Sequence, residues 1–399
     1  MRSRKQLIAY AAGPGDVIST FHHWIKDESD PHEVSETYSG QFYRQIKALS
    51  MTAYVISSSP RRDAVNENWI TIEHRPKNYR EKAGVSYHLA DLWYWLGIIQ
   101  TIVRSKADIA VISDMEHWWL LSLLRLANVK VIPTLHCTFW PKGHRPLGIK
   151  DRVLQTFNGL FWRFIPEATI SISPECENQV RELASNKVKG TLLQARPYYR
   201  QGDFDEIPSL DWNQKPFALL FAGRIERNKG IFDLLDLAER LADLGRGDFV
   251  LELCGTGSAE QELISEIDRR KLSDSVRFLG KLDRHDMRKA YARAHVTLVP
   301  TTAEFAEGLN KTVVESILAM RPVVASDICP AVDLMKESSI EVPAGDIDAM
   351  VKAIIKLASD HELYDRLQKN CKHDAGTFYD FDQSWGKALQ TAITTPFPK

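Results

Sequence analysis

Four short segments in the second half of this 399-residue chain collect residue types that handle phosphates and hydroxyls, each just after an apolar run. The run Phe217–Ala222 ends in Gly223-Arg224-Ile225-Glu226-Arg227-Asn228-Lys229-Gly230. Arg224 and Lys229, five apart in a loop at a strand end, can both face a diphosphate whose bridging oxygen gains negative charge as a bond to it breaks. Preorganised cations of this kind contribute several kcal/mol in a water-poor site. The run Phe249–Cys254 ends in Gly255-Thr256-Gly257, whose small residues let backbone come close to a nucleotide. Gly280-Lys281-Leu282 closes a third run. The fourth is Glu307-Gly308-Leu309-Asn310-Lys311, followed by a helix expected over Lys311–Met320 that carries Glu315. The free amides before that helix, with its dipole, can hold phosphate or sugar oxygens. Glu315 offers two acceptor oxygens, enough for both hydroxyls of a ribose diol.

Taken in order, these segments resemble the retaining glycosyltransferases of family 4, from about Phe217 to Ala358. The most specific part is the pair Glu307 and Glu315, which matches the E-x7-E motif of that family. The resemblance implies the GT-B architecture: two Rossmann-like, doubly wound α/β domains facing each other across a cleft. It assigns Arg224 and Lys229 to the leaving diphosphate, Glu307 to donor-sugar hydroxyls and Glu315 to the ribose. Gly223, Gly255, Gly257, Lys281, Leu282, Gly308, Leu309, Asn310 and Lys311 complete the donor site it implies. Two stretches depart from the family pattern. Asp327-Ile328-Cys329-Pro330 stands where paired glycines and a glutamate are usual, and Arg196-Pro197-Tyr198 stands where an Asn-Gly pair is common.

The first half resembles the family more loosely. Gly13-Pro14-Gly15 follows the first apolar run, where a glycine-rich turn approaches the donor, so Gly13 and Gly15 join the donor set. The run Lys130–Leu135 ends in His136, at the position where relatives place a histidine beside the transferred sugar. Between Asp16 and about Thr37 a long connection precedes the first expected helix. Long connections in compact domains tend to be functional. Asp16, His22, His23 and Trp24 are the acceptor candidates there, Trp24 as a platform for a sugar ring. Adjacent His22 and His23 point in opposite directions on an extended chain, which argues against a metal site.

The elements that must position these groups alternate along the chain. Short β-branched or aliphatic runs are separated by helical patterns such as Phe42–Leu49, Asp233–Leu244, Ala259–Lys271 and Ile347–Ala358. Alternation of this kind specifies parallel sheets covered by helices. Pro197–Pro216 carries three Pro, a Gly and no periodicity, and reads as a linker. The expected domains are 1–198 for the acceptor, 199–375 for the donor, and a C-terminal helix in 376–399 packing back on the first. Composition agrees with two folded domains: 44% hydrophobic and 26% charged residues exclude a disordered or collagen-like chain. The net charge of −1 conceals an asymmetry, with 26 Lys+Arg against 19 Asp+Glu in residues 1–200 and 25 against 33 in the rest. The basic half suits an anionic glycan, a phosphate-linked lipid or an anionic membrane face. Lys150–Phe164, with Leu154, Phe157, Leu160, Phe161 and Phe164 on one side, reads as a core-covering helix or one lying on lipid.

The basic head Met1–Lys5 leads into only a short apolar run, which reads as a strand rather than a signal peptide, and no run of 18 apolar residues appears. Five scattered cysteines without a C-x-x-C pair suit free thiols in the cytoplasm, with peripheral contact on the inner membrane face. Asp203-Phe204-Asp205 and Asp380-Phe381-Asp382 lie away from strand ends and are read as incidental, so no metal or cofactor is expected. The resulting expectation is a metal-independent, front-face transferase. It moves sugar from a UDP-sugar, in preference to a GDP-sugar, to a glycan or lipid-linked hydroxyl, with no nucleic-acid partner. The alternatives are a degenerate homologue that binds nucleotide-sugar or serves assembly, and an epimerase of the same fold.

Overall fold

The computed structural model describes residues 5–395 apart from 29, 31, 32, 80, 82, 114, 206 and 209. Most of the basic head, Met1–Arg4, lies outside the described residues. The chain divides into two compact units. The first comprises Met1–Phe139, Pro146–Tyr198 and Phe381–Lys399, and the second Trp140–Arg145 and Tyr199–Asp380.

Among the described residues the first unit holds eight strands: β1 (Leu7–Ala12), β2 (Thr52–Ser57), β3 (Ala64–Glu67), β4 (Ile70–His74), β5 (Ile109–Ile112), β6 (Lys130–Leu135), β7 (Ala168–Ser171) and β8 (Thr191–Gln194). Their order in the sheet is β3-β4-β2-β1-β5-β6-β7-β8, parallel throughout except where β3 runs antiparallel to β4. The second unit holds β9 (Phe217–Ala222), β10 (Phe249–Cys254), β11 (Val276–Gly280), β12 (Val296–Val299), β13 (Val323–Ser326) and β14 (Ser339–Val342). All are parallel, in the order β11-β10-β9-β12-β13-β14. Counted from β9 this is the 3-2-1-4-5-6 order of a doubly wound sheet. Ligands bind at such a sheet where the order reverses, beyond the carboxyl ends of the central strands. Here the reversal falls between β9 and β12.

The central strands are mostly apolar because helices cover both faces of a parallel sheet. Every residue of β10, β12 and β13 is buried. Helix Ile231–Asp243 supplies Leu234, Leu235, Leu237, Ala238 and Leu241 to the same core. In the first unit the core gathers Ile8, Tyr10, Phe42, Val55, Val111 and Ile132 around Trp385 and Leu389 of the helix Trp385–Thr394.

Two readings from sequence are corrected. The connection Asp16–Thr37 contains a helix, Val17–Ile25, capped by Asp16, whose carboxylate accepts from the Ser19 amide at 2.9 Å. Val17, Ile18 and Phe21 anchor it in the core, a spacing too brief to stand out beside the Gly-Pro-Gly turn. The presumed linker belongs to the second unit from Tyr199 onward. Tyr199 and Phe204 are buried, and the guanidinium of fully buried Arg321 donates to the Pro208 carbonyl at 2.8 Å. Among the described residues, no helix is long and apolar enough to cross a membrane.

Candidate active site

The loops after β9, β10 and β11 form one backbone-laced block. The Gly223 amide donates to the Cys254 carbonyl at 3.0 Å, and Ile225 to Thr256 at 2.9 Å. Ala259 donates back to the Ile225 carbonyl at 3.0 Å, and Gly255 to the Gly280 carbonyl at 2.8 Å. A Cβ on Gly255, whose φ is +137°, would lie 1.7 Å from the Gly223 oxygen, and one on Gly257 would lie 2.2 Å from the Ile225 oxygen. These two glycines are therefore required by the approach of one loop to the next, not by the approach of a ligand alone. Gly230 has the same role across the reversal point: its φ is +72° and a Cβ would meet the Pro300 carbonyl oxygen at 2.0 Å.

Lys229 and Glu307 meet inside this frame. The ammonium lies 2.5 Å from Glu307 Oε2, and both side chains are largely buried. Asn310 Nδ2 donates to the same oxygen at 3.2 Å, while its Oδ1 caps the helix Lys311–Leu318 by accepting from the Thr312 amide at 3.0 Å. Asn310 holds φ at +72°, a left-handed conformation that asparagine tolerates better than most residues. Thr312 Oγ1 ties the helix start to the end of β9 by donating to the Ala222 carbonyl at 2.8 Å. One polar cluster thus spans the point of strand reversal, with the amino end of a helix inside it.

Arg224 stands at the open edge of this cluster, 54% exposed and paired with Glu226 at 2.9 Å. Phe305 joins the two cations: its ring centroid lies 3.7 Å from Lys229 Nζ and 5.2 Å from the Arg224 guanidinium carbon. Sequence reasoning did not single out Phe305, because nothing in its neighbourhood marks it. Glu315 accepts hydrogen bonds from two tyrosine hydroxyls that sequence reasoning also missed, Tyr199 at 3.4 Å and Tyr291 at 3.2 Å. Burial, followed by the Glu315 charge, holds the Tyr291 hydroxyl well above its ordinary pKa, so it remains a donor. Behind the loop, the Cys329 thiol donates to the Leu309 carbonyl at 3.7 Å, and burial pushes its pKa up to about 12. The departure from family pattern at this point is thus an inert buried thiol supporting Leu309. Gly308 and Leu309 are buried beneath the cluster, Lys281 is exposed, and Leu282 is half-buried just before the Asp283 cap of the next helix.

In the first unit the candidates separate. Gly13 and Gly15 both present carbonyls to Ser57 Oγ, at 3.0 and 2.6 Å, yet a Cβ on Gly15 would meet nothing within 4 Å. Asp16 pairs with Arg61 at 2.8 Å and lies 3.6 Å from His74 Nε2. Asp16, His22, His23, Arg61, Asp63 and His74 line one surface depression of about 420 Å³. Burial lowers the His74 pKa despite the opposing Asp16 charge. Trp24 does not line the depression; its ring sits among Phe21, Tyr43 and Trp69, with Lys47 Nζ 5.2 Å from its centroid. His136 Nε2 lies 3.2 Å from Thr134 Oγ1, and its ring is 4.3 Å from that of Tyr38. Asp203 is ion-paired with Arg284. His88, Glu116 and His117 bring ligand-type atoms within 4.8 Å of one another, but Lys150 Nζ occupies His88 Nε2 at 2.7 Å.

Residues 203–374 match the family described as Glycosyl transferases group 1. A glycogen synthase of Mycobacterium tuberculosis is 28% identical over 113 residues, which is 28% of this chain and 26% of that protein. The match therefore spans about a quarter of that relative's length. Sucrose-phosphate synthase from Thermosynechococcus elongatus superposes with a TM-score of 0.67 at 18% identity, covering 98% of each chain. Anabaena Alr3699/HepE in complex with UDP gives 0.64 at 15% identity, again over 98% of each chain. These likenesses establish a GT-B fold built of two parallel-sheet α/β domains. The second unit of this chain carries a glycosyl transferases group 1 domain.

Proposed function

We propose that this chain transfers a glycosyl group from a nucleoside-diphosphate sugar, UDP- rather than GDP-linked, to a hydroxyl of a glycan or lipid-linked acceptor. The observation that carries the reading is the meeting of Lys229, Glu307 and Asn310 at the start of the helix Lys311–Leu318, where the strand order reverses. Arg224 and Lys229 stabilise the leaving diphosphate, and the helix amides add dipoles aimed at the same charge. Glu307 orients the donor sugar. Glu315, a carboxylate with two acceptor oxygens, takes the ribose. Similarity to a protein solved with UDP, and again with UDP and glucose, supports the choice of nucleotide. Assignment to the retaining family 4, with Glu307 and Glu315 as its E-x7-E pair and His136 beside the sugar, belongs to the same proposal. So do acceptor binding at the depression around Asp16, His22 and His23, and a cytoplasmic setting that suits five free thiols.

The reaction on this reading proceeds on one face of the sugar. The anomeric C–O bond to the diphosphate breaks while the two cations take up the charge, the incoming hydroxyl oxygen bonds the anomeric carbon from the same face, and a diphosphate oxygen accepts the hydroxyl proton. No metal is needed for charge neutralisation when two cations and a helix terminus serve it. The test is UDP release from UDP-sugars in the presence of acceptor glycans. Arg224→Ala should lower kcat/KM about a hundredfold or more, and its melting temperature should stay near the native value because the side chain is exposed. Activity should persist in EDTA, and the product should keep the donor's anomeric configuration. A thermal shift with UDP-sugars but no transfer or hydrolysis would instead make the chain a binding protein.

A further inference from the structure

The helix Ile149–Phe164 carries a feature that the donor site does not use. Ile149, Val153, Phe157, Leu160 and Phe164 are each 44 to 85% exposed. At 100° per residue they fall within an arc of about 80°, one continuous apolar stripe along four turns. The opposite side of the helix is spent on the first unit: Asn158, Gly159, Phe161 and Trp162 are buried there, and Gly159 lies against the Leu183 carbonyl. The expectation of a core-covering helix therefore describes one face, and the second face has large apolar side chains in water. Single exposed hydrophobics are ordinary, but a contiguous stripe is not.

The charges around the stripe are ordered. On the same helical wheel Lys150 lies just beyond one edge, and Arg163 and Arg152 lie beyond the other, within about 60°. The one acidic residue of the helix, Asp151, points to the opposite side. Lys150 Nζ also reaches His88 Nε2 at 2.7 Å, which joins the first turn of this helix to the helix Gly84–Arg104. There Val85, Leu89 and Trp93 repeat the four-residue spacing and are 53 to 75% exposed. An exposed tryptophan in line with exposed Val85 and Leu89 suits the boundary between acyl chains and headgroups.

We propose that this face of the first unit docks on an anionic lipid bilayer. The stripe enters the headgroup–acyl boundary, and Lys150, Arg152 and Arg163 meet lipid phosphates on both flanks. Charge selects the occupant. A second copy of the chain would bring the same basic flanks together around the apolar strip, whereas an anionic surface complements them.

The test uses the full-length protein in flotation assays with vesicles of phosphatidylcholine alone and of phosphatidylcholine and phosphatidylglycerol in equal parts. Binding to the anionic vesicles is expected to be at least tenfold stronger and to weaken from low to high salt. Ile149→Glu with Val153→Glu should reduce it tenfold or more with an unchanged thermal melt, since both positions are exposed. Arg152→Glu with Arg163→Glu should remove the preference for anionic vesicles. Equal binding by the stripe variant, or no binding to anionic vesicles at low salt, overturns the proposal. So does wild-type dimerisation that the stripe variant abolishes while vesicles are ignored.

Discussion

The polar residues of the second unit sort by what burial does to each of them. Lys229 and Glu307 are held as a pair, and removing either partner alone leaves a largely buried charge, a change that typically costs about 3–5 kcal/mol. Arg224 has no such structural debt, which makes it the clean probe of transition-state charge. His295 is the opposite case. It is fully buried against Phe217, its Nδ1 accepts the Ala218 amide at 2.9 Å, and burial lowers its pKa from 6.5 to about 4. A depressed pKa means that below pH 6.5 the unfolded chain binds the proton more readily than the folded one. Stability is therefore retained above pH 6.5 and lost as pH falls towards 4. The loss at this residue should be about 2–3 kcal/mol. Urea unfolding of the native chain and of His295→Gln at pH 7 and pH 4.5 would measure it; equal pH slopes in the two proteins would refute the assignment.

Among the elements, legibility in the sequence followed burial. β9 and β10 were readable to the residue as Phe217–Ala222 and Phe249–Cys254, because strands covered on both faces are mostly apolar, Glu252 being the one charged residue in them. β3 and β8 were missed: each has four residues, largely exposed or half-buried, at a sheet edge where the pattern fades. β4 was missed although Ile70-Thr71-Ile72-Glu73-His74 alternates buried and half-buried positions. The polar cluster at the strand reversal was legible because Arg224 and Lys229 follow the end of β9 and Glu307 and Asn310 lead into the helix Lys311–Leu318. Tyr199 and Tyr291 reach Glu315, and Phe305 reaches Lys229 and Arg224, only through tertiary packing, so no local spacing announces them. The loop glycines were legible as glycines but not for their reason. Gly257→Ala should cost about 1–3 kcal/mol, because its Cβ would collide with the Ile225 carbonyl, a rigid neighbour. Gly247→Ala, where a Cβ meets nothing within 4 Å, should be close to neutral. Denaturant midpoints of the two variants make the comparison, and equal losses would show that the loops move apart at little cost.

For the whole molecule, the units are not consecutive pieces of sequence, and this shapes what each depends on. The first unit takes its core from residues near both ends of the chain: Tyr10 packs on Phe42 and on Trp385, with ring centroids 4.6 and 5.9 Å apart. Trp385 is fully buried, and its Nε1 donates to Thr134 Oγ1 at 2.7 Å, at the end of β6 beside His136. The next residue, Gly386, donates its amide to Gln41 Oε1 at 2.7 Å. The final helix is therefore part of the first unit's interior rather than an appendage. Trp385→Ala removes a large buried ring and a buried hydrogen bond, so a loss of about 3–5 kcal/mol is expected. The second unit has its own apolar cluster, in which Trp385 has no share. Hydrogen exchange read strand by strand should then show lost protection in β1, β5, β6 and β7, with β9, β10 and β12 unchanged. Equal loss in both sets would mean that the two cores unfold as one, and the division of the chain would be one of geometry without being one of stability.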